Sequence, residues 1–95
     1  MSLAQIRYFV AVAEERNVGR AARKLHVAQP PISRQIRILE DELGSPLFTR
    51  TPRGMDLLPA GEVFLDHARG ILAAVELATD ATRRATRGAP EPRDR

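Results

Sequence analysis

"HVAQPPISRQIRILE", residues 26–40, decides how the rest of the chain is read. From Ile32 onward the segment has the spacing of an amphipathic helix, with Ile32, Ile36, Leu39 and the following Leu43 on one stripe. Its start is unusual, because Ala28 has no side chain that can cap a helix and two prolines follow close behind. If Ala28 is the N-cap, Pro30 and Pro31 fill the second and third helical positions, whose N–H groups a capping side chain would bind. Proline has no N–H, so an alanine cap loses little there. A residue before proline avoids the helical region, which leaves Pro31 as an alternative start. The expected element is a helix from about Gln29 to Leu43 with a stiff, donor-poor tip, ended by Gly44 and Pro46.

Working outward, residues 3–15 read as a first helix with Leu3, Ile6, Phe9, Val10 and Ala13 on one face. Residues 16–19 break it. Residues 20–25 make a short second helix with Ala21, Ala22 and Leu25 inward, and residues 26–28 a tight connection. Downstream, "LFTRTPRGMDLL", residues 47–58, reads as a short hairpin around the turn-forming Arg50-Thr51-Pro52-Arg53-Gly54. Residues 59–87 form a final helix about 40 Å long at about 1.5 Å per residue. Along it, Phe64, Ala68, Ile71, Leu72, Val75 and Ala78 make a seam suited to a partner helix, and its length favours a dimer contact over packing on its own core. The Pro-rich, charged "GAPEPRDR", residues 88–95, reads as a hinge or disordered tail.

Composition narrows the function. Ninety-five residues allow one small domain that gains from dimerisation. There is no cysteine, which excludes disulfides and thiolate metal sites. Arg7 interrupts the N-terminal apolar run, so no secretory pattern is seen, and no apolar run approaches membrane-spanning length. A soluble, cytoplasmic protein without membrane contact is expected. An enzyme is not: there is no phosphate-cradling glycine loop, and His26 and His67 have no convincing neighbouring ligands. No catalytic residue, metal site or cofactor is therefore assigned. Tyr8, Phe9, Phe48 and Phe64 sit mostly in apolar stripes, which disfavours single-strand binding by base stacking.

The net charge of +3 is unevenly spread. Arg16, Arg20, Arg23, Lys24, Arg34 and Arg37 fall in a stretch without an acid, and Arg50 and Arg53 follow. Such a block fits either a polyanion partner or an ordinary solvated face. Two helices joined by a short turn form a helix-turn-helix. On the third helix, the face opposite the apolar stripe carries Pro30, Arg34, Arg37 and Asp41, with Ser33 on its flank. That face is basic at its N-terminal end and acidic at its C-terminal end, the polarity needed to enter a major groove N-terminus first. Arg34 suits a guanine edge, Gln29 an adenine, and Ser33 a base or a phosphate, with the rings of Pro30 and Pro31 turned towards bases. Arg37 suits the phosphate backbone. Arg53, beside Gly54 at a wing tip, suits a narrow minor groove, with Arg50 a second wing or backbone contact. For each, the alternative is a solvated surface residue.

"RYFVAVAEE", "AARKLHVAQPPISRQIRILEDELGSPLFTRTPRG" and Ala60-Gly61 together resemble the N-terminal DNA-binding domain of LysR-type transcriptional regulators over roughly residues 1–87. "AQPPISRQI" looks most like the branch controlling aromatic and chlorocatechol degradation. The resemblance implies a mainly α fold: a winged helix-turn-helix of three helices and a two-stranded wing, then a dimerising linker helix. It maps base contacts onto Gln29, Pro30, Pro31, Ser33 and Arg34 and the wing contact onto Arg53. The expected domains are residues 1–58 for DNA binding (helix-turn-helix about 18–37, wing about 47–58), 59–87 for the linker helix, and 88–95 for the tail. The expected function is sequence-specific binding of double-stranded DNA, an inverted-repeat operator, by a homodimeric bacterial transcription regulator. The alternative is a helical dimer whose basic face binds an acidic protein. Family members usually carry a C-terminal domain that senses a small-molecule inducer, so the chain is expected to be part of a longer regulator. Members also commonly place Ser or Thr where this sequence has Gly19, Ala28 and Leu58. Gly19 remains an acceptable cap for the second helix. Leu58 does not, and the linker helix should fray there unless water or Asp56 supplies an acceptor.

Overall fold

A computed structural model describes residues 1–88. The tail expected at 88–95 therefore lies outside the described residues from residue 89 on, while Gly88 ends the last helix. Leu3–Glu15 forms α1. The Ser2 hydroxyl accepts from the Gln5 N–H and the Gln5 side chain accepts from the Ser2 N–H, a reciprocal cap that satisfies two otherwise unpaired donors. Arg16 closes α1 in the left-handed region (φ 56°), and Val18–Leu25 follows as α2. The cap of α2 is Asn17, whose side chain accepts from the Arg20 N–H at 2.8 Å. This corrects the expectation of a Gly19 cap and a helix from residue 20. Asn17 carries an acceptor that glycine lacks, and it stands directly before the first helical turn.

Gln29–Leu43 forms α3. Ala28 is extended (φ −76°, ψ 153°) and makes no side-chain capping bond, so the helix starts at Gln29 and the alternative start at Pro31 is not used. Gly44 (φ 75°) ends it, its N–H donating to the Glu40 carbonyl at 2.9 Å. Phe48–Thr51 is β1 and Gly54–Leu57 is β2, an antiparallel pair with Phe48 opposite Leu57 and Thr51 opposite Gly54. Pro59–Gly88 is α4. The order α1-α2-α3-β1-β2-α4 is a winged helix-turn-helix followed by a long helix.

The core is built around α1, which packs against α2, α3, α4 and β2. Contact on so many sides buries the whole run Phe9, Val10, Ala11, Val12 and Ala13, where a one-sided stripe predicts only Phe9, Val10 and Ala13. The same stripes overreach at their ends. Leu3 is 42% exposed and Leu43 39%, because each occupies the outermost turn of its helix. Ile32, Ile36 and Leu39 of α3 are buried as their spacing requires. The Phe9 ring is covered by Phe48 (centroids 5.3 Å apart) and, edge-on, by Phe64 (5.0 Å).

The core also takes up part of the expected dimer seam. Phe64 and Ala68 pack on the domain's own core; Ala68 is 0% exposed and cannot meet a partner helix, while Phe64 stays half-buried. Leu72 also leans on the core, half-buried. Ile71 and Ala78 remain exposed and Val75 half-buried. The start of α4 is held by backbone rather than by a side-chain cap. The Leu58 N–H donates to the Leu47 carbonyl and the Leu58 carbonyl accepts from the Glu62 N–H, both at 2.9 Å. Asp56 does not serve that end, since its carboxylate pairs with Arg16. Gly61 lies so close that a Cβ there would sit 2.2 Å from the Leu47 carbonyl oxygen.

The two caps make opposite predictions. Asn17→Ala should cost about 1 kcal/mol of folding stability, since it removes the acceptor for the Arg20 N–H. Ala28→Ser should change stability by less than about 0.5 kcal/mol, since the prolines offer no donor to a new hydroxyl. Urea denaturation of both variants measures the contrast, and a clear stabilisation by Ala28→Ser would show the α3 terminus to be built otherwise.

Candidate nucleic-acid interface

The turn between α2 and α3 is closed by His26, left-handed at φ 59°, and by the Val27 N–H donating to the Ala22 carbonyl at 3.0 Å. It brings the N-terminus of α3 out beside that of α2. Gln29, Pro30 and Pro31 are exposed there, Ser33 is half-buried on the flank, and Arg34 and Arg37 stand exposed along the outer face. The prolines fix φ and remove two N–H groups, so this tip is rigid and presents ring carbon outward.

The wing is fastened to the α1–α2 corner. At its tip the Thr51 hydroxyl accepts from the N–H groups of Arg53 (3.2 Å) and Gly54 (3.1 Å), which folds Pro52 and Arg53 into a tight turn. Gly54 has φ 143°, and a Cβ on it would lie 2.2 Å from the Arg16 carbonyl oxygen. That same oxygen accepts from the Met55 N–H at 3.0 Å. The Arg16 guanidinium reaches Asp56 on β2 at 2.6 Å. At the other end of the wing, the Glu40 carboxylate accepts from the N–H groups of Leu47 (2.8 Å) and Phe48 (3.3 Å). Glu40 thus anchors the entry to β1.

With the wing so held, an open cleft of about 360 Å³ forms between it and the two helix N-termini. Gln29 and Ser33 line one side, and Arg50 and Arg53 the other. Arg34 and Arg37 do not line this cleft but continue the same helix beyond Ser33. The α4 residues expected to pair two chains are not part of it.

The ion pairs divide the basic block in a way its sequence does not reveal. Arg16 pairs with Asp56, Arg20 with Glu15 (3.8 Å), and Lys24 with Glu14 (3.3 Å) and Glu15 (3.6 Å). Arg34, Arg37, Arg50 and Arg53 have no acid within 4.0 Å among the described residues. Arg23, exposed on α2, shares that state, so the unpaired cations of the block and the hairpin lie on α2, on the exposed part of α3 and on the wing. Sequence reasoning missed Asn17, Thr51 and the Arg16–Asp56 pair. Only Asn17 had a readable signal, as a capping residue type just before an alanine-rich turn. Among the described residues no group of three or more His, Asp or Glu side chains is placed to hold a metal ion, and no helix is long and apolar enough to cross a membrane.

Residues 3–62 match the family described as bacterial regulatory helix-turn-helix protein, lysR family. The chain is 53% identical over 88 residues to the HTH-type transcriptional regulator ClcR of Pseudomonas putida, covering 93% of this chain and 30% of that protein. It is 55% identical over 84 residues to a probable cat1 operon transcriptional activator of Acinetobacter lwoffii, covering 88% of this chain and 28% of the relative. The chain thus spans about 30% of the length of these curated relatives. Among solved structures, the DNA-binding domain of BenM in complex with catB site 1 DNA superposes with a TM-score of 0.90 at 44% identity, covering 94% of this chain and 100% of that one. The CbnR DNA-binding domain in its DNA complex gives 0.85 at 46% identity, covering 90% and 99%.

Gly54→Ala should release the wing from the α1–α2 corner, since both φ and the Arg16 carbonyl exclude a Cβ. We expect a loss of about 1–3 kcal/mol in chemical denaturation, together with faster amide exchange at Met55. Unchanged stability and exchange would mean that the wing is held by something other than this contact.

Proposed function

The chain belongs to the lysR family of bacterial regulatory helix-turn-helix proteins, and on that premise we propose that it is the operator-reading part of a dimeric transcription regulator. Residues 1–58 read double-stranded DNA, and residues 59–87 link and pair two copies. The observation that carries this is the division of charge. Arg34, Arg37, Arg50 and Arg53, on the outer face of α3 and the wing beside Gln29 and Ser33, are exposed and have no acidic partner within 4.0 Å among the described residues, a state that Arg23 of α2 shares within the basic block.

In this reading the N-terminal end of α3 enters a major groove. Arg34 makes a bidentate contact to a guanine edge, Gln29 addresses an adenine, and Ser33 a base or a phosphate. Pro30 and Pro31 set ring carbon against bases, where thymine methyls offer apolar contact. Arg37 neutralises backbone phosphate, and its contribution falls as salt rises. Arg53 at the wing tip reaches an adjacent minor groove, with Arg50 beside it on β1.

Pairing of two chains supports an inverted-repeat operator. With Ala68 buried in the core and Phe64 packed against it, the partner contact centres on Ile71, Val75 and Ala78, with Leu72 at its edge. A regulator that reads bacterial operators works in the cytoplasm. Inducer sensing belongs to segments of a longer protein.

Three measurements test the proposal. At fixed salt, a dyad-symmetric site selected from random duplexes should bind far better than its scrambled version, whereas equal affinity would favour the acidic-protein reading. Arg34→Ala should cost about 1–3 kcal/mol on the selected site and relax preference at one position, and a uniform loss on every duplex would make Arg34 a phosphate contact. Ile71→Glu should shift sedimentation towards the monomer, since it places a charge in the pairing surface. Wild-type sedimentation of that variant would refute the interface.

A further inference from the structure

The cleft between α2, α3 and the wing contains a contact that the reading above does not use. Gly19 lies in the first turn of α2, and the Gln29 side chain folds back across it. A Cβ built on Gly19 would stand 2.7 Å from Gln29 Nε2, 3.9 Å from Gln29 Cδ and 3.1 Å from the Asn17 side-chain oxygen that caps α2. A contact of 2.7 Å is shorter than any real Cβ accepts, so the amide rests where it does only because residue 19 has no side chain. The Asn17 oxygen at 3.1 Å is the one other tight neighbour, and it would have to give by a few tenths of an ångström. Gly19 is helical, no backbone atom crowds it, and glycine is a poor helix former compared with alanine.

We propose that Gly19 is a specificity-determining residue that never touches DNA: it provides the open shelf on α2 against which the Gln29 amide is set for base reading. This rests on the reading of Gln29 as a base contact. The physical cause is pre-organisation. Gln29 is exposed, at the first turn of a helix whose next two residues are rigid prolines, so its backbone is fixed and only its side-chain rotamer is free. A bidentate amide–adenine pair needs that rotamer placed to a fraction of an ångström. With a methyl group at position 19 the amide must swing off α2, and its donor and acceptor then meet a different base-pair edge.

The test is selection of binding sites from a randomised duplex library by the 95-residue chain and by three variants, Gly19→Ala, Gln29→Ala and the double variant. Gly19→Ala is expected to change the preference at one base pair per half-site by about fivefold or more, leaving the other positions and the salt dependence of binding as they were. In the Gln29→Ala background, Gly19→Ala should have no effect on preference. Thermal denaturation separates this from a structural role: the gain in helix propensity offsets the crowding of the Asn17 cap, so Tm should stay close to that of the unaltered chain. The inference is overturned if Gly19→Ala leaves the selected site unchanged, lowers affinity for all sequences alike, or alters preference equally when Gln29 is absent. If the unaltered chain selects no sequence at all, the operator-reading function itself fails, and the shelf with it.

Discussion

The Phe9 ring is the joint on which the molecule turns. The chain has three phenylalanines, and they meet here: Phe9 from α1, Phe48 from β1 and Phe64 from α4. Edge-on and tilted aromatic packing at about 5 Å is favourable beyond the area it buries. It is also directional, so the wing and the long helix are each set at one angle to α1. Because α1 packs on α2 and α3 as well, the same helix carries the reading head, the wing and the stem. Their relative positions are then a property of one close-packed core rather than of flexible connections.

A second layer of constraint is polar and lies on the surface. Thr51 shapes the wing tip, the Arg16 carbonyl seats Gly54 and Met55, and Glu40 holds the wing's other end through two N–H groups. Exposed ion pairs such as Arg16–Asp56 contribute little to stability on their own. Their larger consequence is electrostatic sorting. By neutralising Arg16, Arg20 and Lys24, the acids of α1 and β2 leave the unpaired positive charge of the basic block and the wing on Arg23, on the outer face of α3 and on the wing. A protein of net charge +3 thereby presents a local charge well above its average where a polyanion would sit.

The start of α3 shows how an apparent defect in a sequence can be consistent with its function. An uncapped helix beginning with two prolines is donor-poor, but the N–H groups a cap would serve do not exist there. What remains is a tip whose backbone has almost no freedom, flanked by polar side chains that do.

Periodicity alone determined the four helices, the hairpin and the buried stripe Ile32, Ile36 and Leu39, because short-range spacing and turn chemistry act within a few residues of each other. It also located the exposed Gln29, Pro30, Pro31, Arg34 and Arg37, with half-buried Ser33 on their flank, since a face opposite a buried stripe must point outward. Tertiary structure decided the rest. Ala11, Val12 and Ala68 are buried and Phe64 half-buried, because α1 is surrounded and α4 spends its first turns on the domain's own core. Which arginines are neutralised, why Gly54 and Gly61 admit no Cβ, and where the Gln29 amide rests all depend on groups from different elements. Such contacts follow no local period. They exist only once packing has brought the segments together.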